Sequence, residues 1–307
     1  MKICVLEAEK HPIYGDGITA AHVRQAKTIV NHLKQRHVCD LYNGESIRQC
    51  ISRDYDVIIK SYALFYENHD DERRVVENNP QARLFWLTNE YDIDIGGTWR
   101  KFAKEGRPID VIANFVKEHK FSRKHYFVNM NSLFYQDKKI PTKKYNVCYF
   151  GTYRKNRAKY FKKYFNDKGF MLSTTLKNAK KFSSIGCKFT PLDKFVWSAR
   201  NYDTLGYFRY SLYIEDIVTH TMFNNLADRF YEALSNHTVT LFDKSCINTL
   251  RKSEIDGWED FLIDSSAEMY GRNYEEDWEK QSQWIPIVRK EKQKSLETIE
   301  NILTGKI

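Results

Sequence analysis

The chain has 307 residues, of which 42% are hydrophobic and 29% charged, and it carries a net charge of +9. These fractions belong to a folded soluble protein and exclude intrinsic disorder, while the length suits two domains that each bury a core. No apolar run reaches the roughly 20 residues of a membrane span, and the six cysteines include no C-x-x-C pair, so reduced thiols in a cytoplasmic protein are expected rather than a disulfide or zinc framework.

The N-terminal run 2–8 reads as a buried strand rather than a signal peptide, because acidic residues interrupt it early. The loop after it holds Gly15, Asp16 and Gly17, and Thr19 or Asp16 can cap a helix over 20–33. A glycine-containing loop that feeds a helix suits an anion or a hydroxylated substrate, although Ala20 breaks the G-x-G-x-x-G dinucleotide pattern. Further strands are predicted at 37–42, 57–62, 83–89, 110–115 and 126–130, separated by helix-compatible segments such as 70–79 and 99–105. Apolar runs of that length alternating with helices indicate parallel βαβ units. A doubly wound domain over 1–135 follows, and the polar, lysine-rich segment 136–144 with Pro141 reads as a linker.

The pattern restarts at 145–150. Gly151, Thr152, Tyr153 and Arg154 form a turn, and a basic helix follows over 156–165. Strands are expected at 169–173, 186–189, 212–214, 238–242 and 260–263, within a second α/β domain over 145–274. Residues 195–210 lack clear periodicity. Between the strands at 212–214 and 238–242, Met222, Leu226, Phe230 and Leu234 recur at four-residue steps, an amphipathic helix. Arg229 and Glu232 share another face of it, at its exposed edge. The tail 275–307 reads as a terminal helix kinked at Pro286.

Charge is distributed unevenly. Residues 97–200 hold 25 Lys and Arg against 6 Asp and Glu, whereas the remainder holds 24 against 34. A basic middle between acidic flanks fits a polyanionic partner such as nucleic acid; the plainer alternative is a lysine-rich solvated surface. Within it, Arg154 and Arg157 lie where a glycine turn enters a helix and are phosphate-binding candidates. Arg229 offers a third cation, Glu232 a carboxylate for ribose hydroxyls, and Tyr153 a ring to stack on a nucleobase.

Asp16, Glu90 and Asp92 follow strands of the first domain and are candidates for a general base. Gly15, Gly17, Arg100, Lys101, Lys120, Arg123 and Lys124 are candidates for acceptor binding. Asp92 and Asp94 form a D-x-D pair, a divalent-metal pattern. The nine histidines lie in no H-E-x-x-H arrangement, and no metal or cofactor is expected to be required.

The run Tyr149–Arg154, the run Arg229–Leu234 and the Trp-containing terminal helix together resemble the GT-B class of glycosyltransferases. The resemblance implies two Rossmann-like domains facing across a cleft, with a nucleotide-sugar held by the C-terminal one and the terminal helix packing back toward the N-terminal domain. In size, basic middle and Tyr, Asn and Lys content the chain is similar to the phage glucosyl- and arabinosyltransferases that modify hydroxymethylcytosine in DNA. It differs at Asn224 and Asn225, which stand at the spacing of that family's second acidic residue. What the resemblance implies is a UDP-sugar donor, a modified pyrimidine in duplex DNA as acceptor, and residence in the host cytoplasm if the chain is phage-encoded. A GT-B enzyme acting on a glycan, and a non-catalytic nucleic-acid-binding protein, are the alternatives.

Overall fold

The computed structural model describes residues 1–7, 21–42, 46–61, 69–89, 97–116, 118, 122–193, 195, 204–215 and 225–307. Asp16, Glu90, Asp92, Asp94, Gly15, Gly17 and Lys120 lie outside the described residues, as does Met222. The chain divides into two compact units, one formed by Met1–Leu133 with Glu291–Ile307 and the other by Phe134–Lys290.

In the first unit, strands β1 (Lys2–Glu7), β2 (Val38–Tyr42), β3 (Val57–Ser61), β4 (Arg83–Thr88), β5 (Ile109–Ala113) and β6 (His125–Phe127) form a parallel sheet in the order β2-β1-β3-β4-β5-β6. Every residue of β3 and β5 is buried, which is why these strands read as near-continuous apolar runs. Helix α1 (Ala21–Leu33) places Val23, Ala26, Val30 and Leu33 on one face at steps of three and four. That stripe packs with Ile3, Val5 and Phe85 of the sheet and with Leu296, Ile299 and Leu303 of the C-terminal helix. Two further helices, α2 (His69–Glu77) and α3 (Gly97–Lys104), connect later strands.

Polar contacts lock the C-terminal helix into this core. Buried Glu300 accepts from Arg36 Nη1 at 3.1 Å and lies 2.9 Å from His32 Nε2 and 3.2 Å from His37 Nε2. Arg83, at the start of β4, donates to the carbonyls of Ile302 and Leu303 and so satisfies the last turn of that helix.

In the second unit, β7 (Tyr145–Phe150), β8 (Asn166–Ser173), β9 (Lys188–Leu192), β10 (Phe208–Tyr213), β11 (Val239–Asp243) and β12 (Leu262–Ile263) are again parallel, in the order β12-β11-β10-β7-β8-β9. Helices α4 (Ala158–Tyr164), α5 (Leu176–Ser184) and α6 (Asp228–Ser235) lie between strands. Tyr149, Phe161, Phe165 and Phe182 form an aromatic cluster beneath the end of β7, with ring centroids 4.7–6.4 Å apart.

The segment 136–144, expected as a linker, is bonded to the second unit. Gln136 N donates to Ser235 Oγ, Lys144 N to the Tyr207 carbonyl, and Lys143 Nζ to the Asn236 carbonyl just past α6. Its lysines and proline carry composition typical of a loop, yet their backbone groups and one ammonium are used in packing. Pro286 does not kink a helix. α7 (Tyr274–Ser282) ends before it and α8 (Ile285–Thr304) begins beside it; a proline in the first turn costs no hydrogen bond, since N–H groups there are unpaired anyway. The first turn of α8 belongs to the second unit and residues 291–304 to the first.

Both sheets share one winding. From β1 the chain builds outward to β2, then returns to the other side of β1 with β3; from β7 it builds to β8 and β9, then returns beside β7 with β10. In open α/β sheets ligands sit outside the C-terminal strand ends at such reversal points.

Candidate nucleotide-sugar site

The reversal point of the second sheet lies between β7 and β10, and charged side chains converge there. β7 ends at Phe150 and turns at Gly151, whose φ of +146° is closed to most side chains. A Cβ at this position would also stand 3.3 Å from Tyr149 Oη. Gly151 N donates to the Ser173 carbonyl and its own carbonyl accepts from Thr174 Oγ1. Tyr153 N donates to Asn178 Oδ1 in the first turn of α5, and an extended Arg154 leads into a 3-10 turn that ends at Arg157.

Glu215 lies two residues beyond β10 and is 2% exposed. Arg157 Nη2 is 2.5 Å from its Oε2, and Arg229 Nη2 is 3.5 Å from its Oε1. Both guanidiniums also reach the Ile214 carbonyl, at 3.5 and 3.3 Å. Two arginines thus converge on one buried carboxylate, with Asp228 beside Arg229.

Arg229 enters from the first turn of α6. The Ala227 N–H at the head of this helix donates to Tyr213 Oη at 2.8 Å, which docks the helix on β10. Arg229 Nη1 donates to Tyr149 Oη at 3.1 Å, and its guanidinium carbon lies 5.4 and 5.7 Å from the ring centres of Tyr149 and Tyr213, within cation–π range. Burial opposes its charge, but Tyr149, Glu215, Asp228 and Tyr213 outweigh that and hold the guanidinium well above its ordinary pKa. The same surroundings push the Tyr213 phenol up, through burial first and the Glu215 charge second. Arg229 is therefore a fixed cation. Its Nε–H is buried and has no hydrogen-bond partner among the described residues, so one donor of the cluster is left for a ligand.

The structure thus brings together Gly151, Arg157 and Arg229 from the sequence-predicted set. Glu232 lies one turn after Arg229 and is buried at 3% exposure, not at an exposed edge, because the helix face from Phe230 to Ser235 is covered throughout. Thr152 and Arg154 are exposed on the turn. Tyr153 is half-buried against Phe161 and Phe182, with centroids 6.2 and 5.3 Å away, so its ring is engaged with the core.

Glu215 is not among the candidates read from the sequence, and Tyr149 enters there only within the strand-turn run Tyr149–Arg154. The available signal was electrostatic: arginines expected inside a fold need a buried counter-charge, and Glu215 is the acidic residue next to the strand end that faces them.

In the first unit Arg100 and Lys101 lie on α3, half-buried and exposed respectively. Arg123 and Lys124 precede β6 and so stand at the N-terminal end of the sheet, opposite the strand ends that face a ligand. Arg123 is committed to a forked pair with Asp110, at 2.9 and 2.7 Å. It lines a cavity of about 470 Å³ with Arg83 and Arg107; Arg107 donates to the carbonyls of Val76, Asn79, Pro80 and Ala82. These arginines act as braces for neighbouring chain ends. Among the described residues no helix is long and apolar enough to cross a membrane, and no three His, Cys, Asp or Glu side chains are grouped as metal ligands.

No protein-family model matches the sequence, and no curated protein is similar to it by sequence. Solved structures do resemble it. A variant of T4 phage BGT in complex with UDP-glucose superposes with a TM-score of 0.67 at 14% identity, over 99% of each chain. The DNA-modifying enzyme beta-glucosyltransferase, solved with and without uridine diphosphoglucose, gives 0.65 at 14% identity over 99% of this chain and 100% of that one. An alpha-glucosyltransferase in complex with UDP and a 13-mer DNA gives 0.57 at 11% identity, covering 97% and 94%. At these identities the likeness is one of fold, and the fold is that of the GT-B glycosyltransferases: two doubly wound α/β units in a single chain.

Proposed function

We propose that this chain is a glycosyltransferase that moves a sugar from a UDP-sugar to a hydroxyl on DNA, with the hydroxymethyl group of a modified cytosine as acceptor. The observation that carries the reading is the convergence of Arg157 and Arg229 on Glu215 at the reversal point of the second sheet, with the buried Arg229 Nε–H unpaired among the described residues. Its support is that chains of the same fold are recorded with UDP-glucose, UDP and DNA.

A diphosphate set against this cluster gains charge-assisted hydrogen bonds from two guanidiniums in a low-dielectric site. As the sugar leaves, the bond between the anomeric carbon and the diphosphate oxygen breaks, and its electron pair stays on UDP. The acceptor oxygen bonds to the anomeric carbon and its proton passes to a carboxylate, for which Asp16, Glu90 and Asp92 are the candidates. Positive charge held where negative charge develops lowers the barrier. Arg157 and Arg229 supply that charge here, so no divalent metal is required. Gly151, Thr152, Tyr153, Arg154 and Glu232 complete the proposed donor site.

An acceptor hydroxyl on a base within duplex DNA reaches such a site when the nucleotide is turned out of the stack. Arg100 and Lys101, with Gly15, Gly17 and Lys120, are the proposed contacts to DNA; Arg123 and Lys124, at the opposite end of the sheet, are left out of them. The excess of Lys and Arg over 97–200 makes the interaction salt-dependent.

The test is incubation with a panel of UDP-sugars and a duplex containing 5-hydroxymethylcytosine, read by mass spectrometry of the nucleosides with and without EDTA. A sugar-modified base formed equally in EDTA is expected. Product on a glycan with none on DNA would retain the enzyme and reject the acceptor, whereas salt-sensitive DNA binding with no UDP binding would leave a binding protein.

A further inference from the structure

The C-terminal edge of the first sheet carries side-chain amides whose orientation is fixed by a relay. Gln25, on α1 and 5% exposed, donates from Nε2 to the Met130 carbonyl at 3.0 Å. A carbonyl only accepts, so the Gln25 amide has one allowed orientation and its Oε1 faces away. Asn89 follows the last residue of β4 and donates from Nδ2 to that Oε1 at 2.7 Å. The Asn89 amide is therefore oriented as well, and its Oδ1 is left as an acceptor. This oxygen is buried and has no hydrogen-bond partner among the described residues.

A buried acceptor without a donor costs about 1–3 kcal/mol, which a ligand N–H recovers. Asn89 stands at the C-terminal edge of the sheet, where α/β folds bind ligands, beside the strand β3 that flanks the reversal, and is next in sequence to the candidate base Glu90. Resting on the acceptor class proposed above, we infer that Asn89 Oδ1 reads the exocyclic amine of the acceptor base, with Gln25 as the residue that sets its direction. Cytosine offers an N4 amine donor at this edge, while uracil and thymine offer an O4 acceptor. An acceptor facing Asn89 Oδ1 leaves both oxygens unpaired and repelling. The relay accordingly selects 5-hydroxymethylcytosine over 5-hydroxymethyluracil.

The experiment compares kcat/KM for transfer from UDP-glucose to two duplexes that differ only in one 5-hydroxymethylcytosine or 5-hydroxymethyluracil. The wild-type chain is expected to favour the cytosine by about 100-fold or more, as sites built around one oriented hydrogen bond do. Asn89→Leu should bring the two rates within a few-fold of each other without altering UDP affinity. Gln25→Leu frees the Asn89 amide to turn its Nδ2 outward, so the uracil duplex gains relative to the cytosine one. Each ratio is measured on a single preparation, and a variant that folds only in part lowers both rates equally and leaves the ratio unmoved. Equal wild-type rates on the two duplexes, or a ratio unchanged in both variants, would overturn the assignment while leaving the glycosyltransferase reading intact. Transfer to neither duplex, with UDP still bound, would remove the DNA acceptor and this inference together.

Discussion

The two units solve the same folding problem and end in different chemistry. Each is a parallel six-stranded sheet that reverses its winding once, with buried strands and helices as connections. At the C-terminal edge of the second sheet stands a charged cluster, two arginines on one glutamate. At the edge of the first stands a neutral relay from the Met130 carbonyl through Gln25 to Asn89. Buried charges occur in the first sheet too: Lys60 of β3 is paired with Glu72 at 2.8 Å, and Glu7 is buried at the end of β1. A pair of guanidiniums suits an anionic ligand, and an oriented amide suits a neutral ring with donors and acceptors. What distinguishes the units is a handful of residues at strand ends, which is how one architecture serves different ligands.

Removal of one guanidinium sharpens that contrast most. Arg229→Ala is expected to lower kcat/KM for sugar transfer by about 10²–10³-fold, the range for one donor aimed at developing charge. Calorimetry should show UDP affinity lost in parallel while binding of acceptor DNA persists. Arg229→Lys keeps a charge but not the fork, and should recover only part of the loss. Full activity in either variant would separate the cluster from the donor.

Glu215→Gln tests the same cluster from its other side. With the carboxylate gone, two guanidiniums face each other in a buried site, and stability should fall by about 3–5 kcal/mol. UDP supplies negative charge at that point, so the gain in thermal midpoint on adding UDP should be larger in the variant than in the wild type. An equal gain in both would place the diphosphate elsewhere. Gly151→Ala comes next: backbone strain at φ +146° costs about 1–3 kcal/mol, and the new methyl crowds Tyr149 Oη, which anchors Arg229. Both the thermal midpoint and UDP affinity should drop, whereas the alanine variant of Gly257, at φ +71° with nothing within 4 Å of a Cβ, should lose thermal midpoint through backbone strain and keep UDP affinity.

The two units also differ in how much of them the sequence displays. Strands such as Val57–Ser61 and Val239–Asp243 declare themselves as short apolar runs, because a parallel strand is buried on both faces. The Gly151 turn was legible because a glycine between strand and basic helix has few other uses; Arg157 drew attention beside that turn, and Arg229 through the helix face it shares with Glu232. Glu215 was not, since its importance arises only when the ends of β7, β10 and α6 meet, and these are far apart in the chain. The relay through Gln25 and Asn89 was hidden for the same reason: its members are 64 residues apart, and side-chain amides carry no mark of orientation until a carbonyl fixes one of them. For the lysine-rich 136–144, composition records polarity but not which groups a neighbouring helix end takes up, as the end of α6 takes up Gln136 N and Lys143 Nζ.

The smallest expected effect isolates the first unit. Burial alone would raise the Glu300 carboxyl, yet the bond from His32, the charge of Arg36 and the bond from His37 together hold it below its ordinary value of 4.5. A carboxylate depressed on folding contributes stability above its unfolded pKa and loses it as pH falls through the folded value. Arg36 is largely exposed and solvent screens its share, so the contribution rests on the two histidine contacts and amounts to about 1–2 kcal/mol. Glu300→Gln should therefore lower the thermal midpoint at pH 6 and converge with the wild type as pH falls through the depressed folded value, below which the carboxylate is protonated in both states. Because the contact ties α8 to α1, far along the chain from Arg157 and Arg229, UDP affinity should be unchanged at every pH. A fall in UDP affinity would mean that the C-terminal helix couples the two sheet edges, and the charged and neutral sites could then no longer be treated as independent.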